Sequence, residues 1–160
     1  MTIAVGEKIP SATLMEMRDG APRAVKTEEL FSGKKAILFA VPGAFTPTCS
    51  AKHLPGFIEH AAALQAKGIA YIACISVNDA FVMGAWGNAQ GAGDKVAMLA
   101  DGNSDFTKAI GLEADATKYG MGTRSRRYAM LLDDGVVKAL FVEEPGAFEV
   151  SSAEHMLSIL

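Results

Sequence analysis

Short apolar runs alternate along this chain with segments of helical periodicity, and this alternation limits the folds that the chain can adopt. Runs of strand length occupy residues 36–41, 69–75 and 96–100. Between them, residues 56–67 carry apolar side chains at the spacing of one helical face, and residues 80–88 also predict a helix. The order strand, helix, strand, helix, strand predicts an α/β protein, with a mixed central sheet flanked by helices on both faces.

Hairpin and helix patterns complete this arrangement at both ends of the chain. An N-terminal β-hairpin is predicted over residues 13–17 and 23–27, because the segment between them contains an Asp-Gly turn signal. A second hairpin is predicted over residues 127–132 and 136–142. Short helices are expected at residues 27–33, 106–111 and 151–160. A thioredoxin-like fold satisfies this order of elements, and we expect one domain to span residues 1–160.

Composition narrows the class of protein further. Half of the residues are hydrophobic and the formal net charge is −3, so no general basic field is available for nucleic acid. The longest apolar stretches are too short to cross a bilayer, and residues 1–8 lack a basic segment followed by a hydrophobic one. We therefore expect no nucleic-acid partner, no membrane partner and a cytoplasmic location. Only two cysteines occur, without a Cys-x-x-Cys pair, which argues against a disulfide framework and a zinc site.

Cys49 lies where the first predicted core strand turns toward a helix. At such a turn, free backbone N–H groups and the helix dipole favour the thiolate, which is the reactive form of cysteine. Thr46 precedes Cys49 by three residues, and Pro47 restricts the backbone between them. A hydroxyl and a thiol are thereby brought to one side of the turn. Local chemistry alone leaves another interpretation open, in which Thr46 and Thr48 cap the helix and Cys49 is a small buried residue.

Four segments carry a resemblance to a known family. The run Pro-Gly-Ala-Phe-Thr-Pro-Thr-Cys-Ser at 42–50 continues into His-Leu-Pro-Gly-Phe at 53–57, and the likeness returns at residues 74–79 and 122–127. These segments resemble the peroxiredoxins, specifically the atypical type II or peroxiredoxin V subfamily. The resemblance implies a thioredoxin fold and a thiol-dependent peroxidase that reduces hydrogen peroxide and organic hydroperoxides. Such an enzyme contributes to antioxidant defence and cell redox homeostasis, and it needs no metal or organic cofactor.

The resemblance also implies roles for individual residues. Cys49 would be the peroxidatic nucleophile at the redox-active centre and would become a sulfenic acid. The Thr46 hydroxyl would bind the peroxide and align its O–O bond with the sulfur. Backbone N–H groups near Thr48 and Cys49 would bind a peroxide oxygen. Pro42 would shield the site from water.

A cation from a distant strand should complete the site, and three arginines near one another are candidates. Arg124, Arg126 and Arg127 precede the second predicted hairpin. In the family pattern the arginine opens a strand and an apolar residue follows three positions later, which Arg127 and Met130 fit best. Strand alternation places Arg126 on the opposite face from Arg127. The alternative for each arginine is a solvated charge at a strand end.

The second cysteine and the C-terminal segment bear on how the enzyme is recycled. Cys74 lies in a run that predicts a buried strand, so packing is its expected role, with resolution of a Cys49 sulfenic acid as the alternative. Some subfamily members carry a resolving cysteine where this chain has Ser151. Here Ser151 and Glu154 form a capping-box pattern that predicts a helix start. We therefore expect an external thiol to reduce Cys49, either glutathione with glutaredoxin or thioredoxin.

Two competing functions stay open on sequence alone. His53 follows Cys49 by four residues and can share its helix face, which would suit a Cys–His hydrolase or a supporting hydrogen bond. A non-enzymatic redox sensor or chaperone-like interaction protein would use the same thiol only to switch binding. Phe81 and Trp86 are expected in the core or at an interface. With the loop at Ala44-Phe45, their helix suggests the apolar surface of a homodimer.

Overall fold

The three apolar runs form neighbouring parallel strands at the middle of a seven-stranded sheet in the computed structural model, which describes residues 1–160. The strands of this sheet are β1 (Thr13–Arg18), β2 (Ala21–Lys26), β3 (Lys35–Ala40), β4 (Tyr71–Ser76), β5 (Ala97–Ala100), β8 (Tyr128–Asp133) and β9 (Val136–Val142). Their spatial order is β2-β1-β5-β4-β3-β8-β9. Only the central strands are parallel, so the sheet is mixed as predicted.

Both predicted hairpins are present and extend the sheet at its two edges. In the N-terminal hairpin, Leu14 pairs with Val25, and the turn residues Asp19 and Gly20 both have positive φ. Asp and Gly tolerate this left-handed conformation, which matches the twist of a two-residue hairpin turn. The C-terminal hairpin pairs β8 with β9 and runs antiparallel to β3. A separate two-stranded sheet, β6 (Glu113–Asp115) with β7 (Thr123–Ser125), was not predicted, because three-residue strands give little alternation to detect.

Helices cover the sheet on both faces. They are α1 (Thr27–Phe31), α2 (Leu54–Glu59), α3 (Ala61–Ala66), α4 (Ala80–Gln90), α5 (Asp105–Ala109) and α6 (Ala153–Ser158), with a 3₁₀ turn at Thr117–Tyr119. One apolar cluster contains Phe57, Trp86 and Met156 from α2, α4 and α6. A second cluster, on the other face, contains Phe31 and Phe106 from α1 and α5. None of these helices has the length and apolar character needed to span a bilayer.

The predicted helix over residues 56–67 is longer and less regular than its sequence pattern indicates. It begins with a π-helical turn at Cys49–His53, continues as α2, and is interrupted at His60 before α3. Gly68, with a φ of 97°, ends it at the predicted position. The π turn was missed because apolar periodicity does not distinguish one widened turn from an α-helix.

The capping-box prediction for Ser151 is wrong by one residue. Ser152 caps α6, because its side chain accepts a hydrogen bond from the backbone N–H of His155. Ser151 is instead buried, and its hydroxyl donates to Glu143 Oε2 at 2.7 Å. Adjacent serines give equivalent capping signals, and here a buried carboxylate acceptor decides which one faces inward.

Candidate active site

Cys49 lies at the first position of the π-helical turn, which follows the loop that leaves the end of β3. Its side chain is fully buried, with 0% of its surface exposed. The first backbone hydrogen bond of this helical segment runs from Ser50 N–H to the carbonyl of Thr46. The N–H groups of Thr48 and Cys49 precede that bond and so have no partner one turn earlier. These two donors therefore add positive potential at the same end of the helix as the Cys49 sulfur.

The Thr46 hydroxyl contacts the Cys49 sulfur directly. Thr46 Oγ1 lies 2.9 Å from Cys49 Sγ and 2.7 Å from the carbonyl oxygen of Gly43. A hydroxyl has one proton, so it can donate to only one of these acceptors at a time. When it donates to Gly43, its lone pairs are free to accept a hydrogen bond from a bound molecule. Thr46 can thus either stabilise a thiolate or orient a neighbouring O–H group.

Arg127 reaches the same sulfur from the start of the strand next to β3. It immediately precedes β8, and the pairing of Phe39 with Ala129 brings the start of β8 beside the end of β3. Arg127 Nη2 donates to Cys49 Sγ at 3.0 Å, and its Nη1 lies 2.8 Å from His53 Nδ1. The guanidinium carbon also lies 5.9 Å from the centre of the Phe148 ring. A permanent positive charge is therefore held against a buried thiol sulfur.

The other two candidate arginines have different partners. Arg124 donates to the backbone carbonyls of Met121 and Val77. Arg126 donates to the backbone carbonyl of Glu143. Neither makes a hydrogen bond to Cys49, so Arg127 alone supplies a guanidinium contact to the sulfur.

His53 is buried behind Arg127 rather than beside the sulfur. Because arginine only donates, His53 Nδ1 must be the acceptor of the Arg127 hydrogen bond. The ring proton is then on Nε2, which donates to the carbonyl of Ser151 at 2.9 Å. Burial, and next the charge of Arg127, lower the pKa of His53 to about 3 despite the bond to Ser151. His53 makes no hydrogen bond to Cys49, so the arrangement lacks the Cys–His contact that a hydrolase needs.

Aromatic rings and the 42–45 loop enclose this polar cluster. The His53 ring packs against Phe39 at 4.9 Å and Phe148 at 5.0 Å between centroids. Pro42 is half-buried at the start of the loop. Phe45 is 56% exposed and has a φ of 64°, an uncommon conformation for an aromatic residue. The site therefore has apolar walls and a strained, exposed aromatic side chain at its edge.

Glu143 is a member of this region that the sequence did not single out. Its side chain is buried, and Oε2 accepts hydrogen bonds from the N–H groups of Glu149, Val150 and Ser151 and from the Ser151 hydroxyl. Burial opposes ionisation, but these bonds outweigh it and lower the pKa of Glu143. Glu143 and its exposed neighbour Glu144 are indistinguishable by residue type, so only the fold shows which one turns inward.

Cys74 lies in the same apolar cluster as Cys49 but in the middle of the sheet. It pairs with Phe39 on one side and Met98 on the other, and its side chain is fully buried. Burial, followed by the proximity of Cys49, raises the pKa of the Cys74 thiol. The two cysteines are free thiols in this structure. No group of three or more His, Cys, Asp or Glu side chains is arranged to hold a metal ion.

The chain matches known proteins over nearly its full length. The family model described as Redoxin matches residues 4–157. Peroxiredoxin-2E-2, chloroplastic, of Oryza sativa subsp. japonica is 60% identical over 99% of this chain and 73% of its own length. Peroxiredoxin-2E, chloroplastic, of Arabidopsis thaliana is 56% identical over 99% of this chain and 70% of its own length. The cytoplasmic location expected from the sequence is wrong by this comparison, because these relatives are named chloroplastic.

A solved structure gives the same result for the fold. The crystal structure of reduced Prx3 from Vibrio vulnificus in complex with hydrogen peroxide is 55% identical to this chain, with a TM-score of 0.95. The match covers 99% of each chain. The predicted thioredoxin-like fold, a mixed central sheet flanked by helices with an N-terminal β-hairpin, is confirmed.

Proposed function

The chain belongs to the Redoxin family and is a type II peroxiredoxin, a thiol peroxidase, and we propose that Cys49 is the residue that reacts with peroxide. The observation that carries the proposal is that two groups able to donate lie within hydrogen-bond distance of its sulfur, the Thr46 hydroxyl at 2.9 Å and the Arg127 guanidinium at 3.0 Å. Both interactions favour a thiolate over a thiol. The hydrogen peroxide in the similar Vibrio vulnificus Prx3 structure supports peroxide as the substrate.

The side chains around the sulfur suit a displacement at peroxide oxygen. The Cys49 thiolate attacks one oxygen, so that an S–O bond forms while the O–O bond breaks. The sulfur is oxidised to a sulfenic acid, and the leaving oxygen takes a proton from solvent to become water or an alcohol. Arg127 and the N–H groups of Thr48 and Cys49 stabilise the negative charge as it moves to the leaving oxygen. Thr46 aligns the peroxide, and Pro42 limits the access of water.

An external thiol is proposed to return Cys49 to its reduced form. Position 151 is a serine and cannot form a disulfide, and its hydroxyl already donates to Glu143. Cys74 is held between two neighbouring strands, where we assign it to packing. A small thiol such as glutathione, followed by glutaredoxin, fits this arrangement, and thioredoxin is the second candidate. His53 supports Arg127 by accepting its hydrogen bond.

The reaction is proposed to need no metal or organic cofactor. Nucleophile, cation and hydrogen-bond donors all come from the protein, and the electrons come from the thiol substrate. Removal of divalent metal by a chelator should therefore leave peroxide turnover unchanged. A loss of turnover restored by a specific metal would contradict this part of the proposal.

A homodimer is proposed, with contacts through α4 and the 42–45 loop. Phe81 on α4 is 64% exposed and Phe45 is 56% exposed. Trp86, also on α4, is buried in the core, and its ring centre lies 6.4 Å from that of Phe45. Exposed aromatic side chains of this size favour burial in an interface. Sedimentation of the wild type should give twice the chain mass, and Phe81→Asp should give the single-chain mass. A wild type that sediments as one chain at micromolar concentration would contradict the dimer.

Peroxide consumption under recycling conditions tests the proposed roles and the reductant. Purified protein with glutathione and glutaredoxin should consume many equivalents of hydrogen peroxide, and Cys49→Ser should consume none. Thioredoxin with its reductase, tested in parallel, identifies the preferred reductant. A redox sensor would consume one equivalent and stop, and this alternative is not favoured because the chain belongs with named peroxidases.

A further inference from the structure

The carboxylate of Glu143 lies beyond the residues that contact the sulfur, yet it is connected to them by hydrogen bonds. We propose that Glu143 is a positioning residue for Arg127, acting through the 149–151 segment and His53. The inference rests on the proposed roles of Cys49 and Arg127. It adds that Arg127 needs Glu143 to point at the sulfur. It assigns a function to a buried charge that forms no ion pair.

The connection begins with the four donors on one carboxylate oxygen. Three are consecutive backbone N–H groups, at 2.8 to 2.9 Å, and the fourth is the Ser151 hydroxyl at 2.7 Å. Consecutive N–H groups that converge on an anion form a concave nest and fix the backbone that carries them. The carbonyl of Ser151 is part of that fixed backbone, and it accepts the hydrogen bond from His53 Nε2.

The same connection determines the proton position on His53. A fixed carbonyl at Ser151 requires a proton on Nε2, which leaves the Nδ1 lone pair directed at Arg127 Nη1. Arg127 then has its second nitrogen, Nη2, directed at Cys49 Sγ. The opposite tautomer would place an N–H on Nδ1 against the guanidinium N–H. The tautomer of His53 therefore controls whether Arg127 can point at the sulfur.

The backbone of Glu143 also forms hydrogen bonds with residues next to the site. Its N–H donates to the carbonyl of Arg127, and its own carbonyl accepts from Arg126 Nη2. The carboxylate nest and the arginine backbone thus meet at one residue. Glu143 can therefore fix two positions at once. Its carboxylate fixes the backbone at Ser151, and its backbone N–H fixes the start of the strand that carries Arg127.

Replacement of Glu143 by the isosteric glutamine tests the inference. Glu143→Gln keeps one acceptor oxygen but loses the charge, so the bonds to the nest weaken by roughly half. We expect about a tenfold lower kcat/KM for hydrogen peroxide and slower alkylation of Cys49 by iodoacetamide at neutral pH. Nitrogen NMR of the His53 ring should change from one tautomer, with a bare Nδ1, to a mixture. The matched control is Glu144→Gln, on an exposed side chain that accepts no hydrogen bond, which should leave all three readouts unchanged.

A second control separates positioning from loss of stability. Ser152→Ala removes the cap of α6 and should lower thermal stability while the His53 tautomer and kcat/KM stay at wild-type values. Glu143→Asp, which restores the charge, should recover part of the activity lost in Glu143→Gln. The inference is overturned if Glu143→Gln folds with wild-type tautomer, alkylation rate and kcat/KM. It is also overturned if Ser152→Ala reproduces the whole Glu143→Gln phenotype. Failure of the wild type to turn over peroxide would instead contradict the proposed function.

Discussion

The two cysteines of this chain share an apolar cluster and complete burial, but their polar surroundings differ. Cys49 has a hydroxyl and a guanidinium within hydrogen-bond distance of its sulfur. Cys74 is surrounded by neighbouring strands, and burial raises the pKa of its thiol. Burial disfavours a thiolate at Cys74, whereas at Cys49 a hydroxyl and a guanidinium face the sulfur directly. The reactivity of a cysteine in this protein therefore depends on the groups that face its sulfur rather than on its exposure.

The largest expected effect comes from removing the cation that distinguishes the two cysteines. Arg127→Met keeps a long side chain but removes the charge and the donor to Cys49 Sγ, so Cys49 should become more like Cys74. We expect kcat/KM for hydrogen peroxide to fall by about 100- to 1000-fold, as for loss of one donor from an oxyanion site. Competition kinetics against a known peroxidase would measure it. Arg124→Met, which loses bonds only to backbone carbonyls, is the control and should change kcat/KM less than threefold.

An Arg124→Met variant as impaired as Arg127→Met would contradict this assignment of Arg127. It would mean that the positive potential of the whole arginine cluster, and not one guanidinium contact, controls the Cys49 sulfur. The reactivity of Cys49 would then depend on the summed electrostatic potential of the arginines rather than on the hydrogen bond from Arg127.

A smaller effect is expected from the Thr46 hydroxyl. Thr46→Val is close to isosteric but removes the donor to Cys49 Sγ and the group proposed to align peroxide. We expect about a tenfold loss of kcat/KM, the size of one neutral hydrogen bond in the transition state. Thr46→Ser retains the hydroxyl and should stay within threefold of the wild type. If Ser fails to rescue while Val folds normally, the methyl group and not the hydroxyl is the important part of Thr46.

The sequence predicted the elements of this fold well because their signals are local. The parallel strands, both hairpins and the thiol-bearing turn come from runs of residues that are adjacent in the chain. Thr46 lies three residues from Cys49, so their proximity was also a local inference. Family pattern and strand alternation favour Arg127 among three arginines, but its contact with Cys49 depends on the register between β3 and β8.

The parts that the sequence missed depend on contacts between distant segments. The role of Ser151 was assigned to helix capping, because nothing local reveals that its hydroxyl meets Glu143. Glu143 itself carries no motif, and its four donors come from residues 149–151. The proton on His53 follows only from its two partners, Arg127 and Ser151. Buried polar networks of this kind are set by tertiary structure, and residue patterns do not encode them directly.

The neutral state of His53 predicts a loss of stability in mild acid. Folding lowers the pKa of His53 from 6.5 to about 3, so between these values the unfolded chain binds more protons than the folded one. This contribution to stability is complete above the unfolded pKa and declines as the pH falls. From about pH 7 to about pH 5 the free energy of unfolding should decrease by about 2 kcal/mol from this residue. Urea unfolding at the two pH values would measure the decrease.

The slope of stability against pH, rather than its absolute level, identifies His53 as the source. His53→Gln should be less stable at neutral pH but should lose much less stability on acidification. His60→Gln, at the partly exposed histidine paired with Glu154, should retain the full acid loss. Equal slopes in the wild type and His53→Gln would show that His53 does not stay neutral in the folded chain. The lowered pKa of Glu143 acts mainly below its ordinary value of 4.5 and so adds little to the decrease in this range.

The smallest effect is expected from replacing the buried Cys74. Cys74→Ala leaves a small cavity between β3, β4 and β5 and should cost about 1 kcal/mol of stability. Peroxide turnover with glutathione and glutaredoxin should be unchanged, because the sulfur of Cys74 takes no part in the proposed cycle. Mass spectrometry of the wild type after one peroxide equivalent should show a sulfenic acid at Cys49, and a mixed disulfide once glutathione is added. A Cys49–Cys74 disulfide, with slower recycling in Cys74→Ala, would show that the strand holding Cys74 opens during turnover and that both thiols are redox partners.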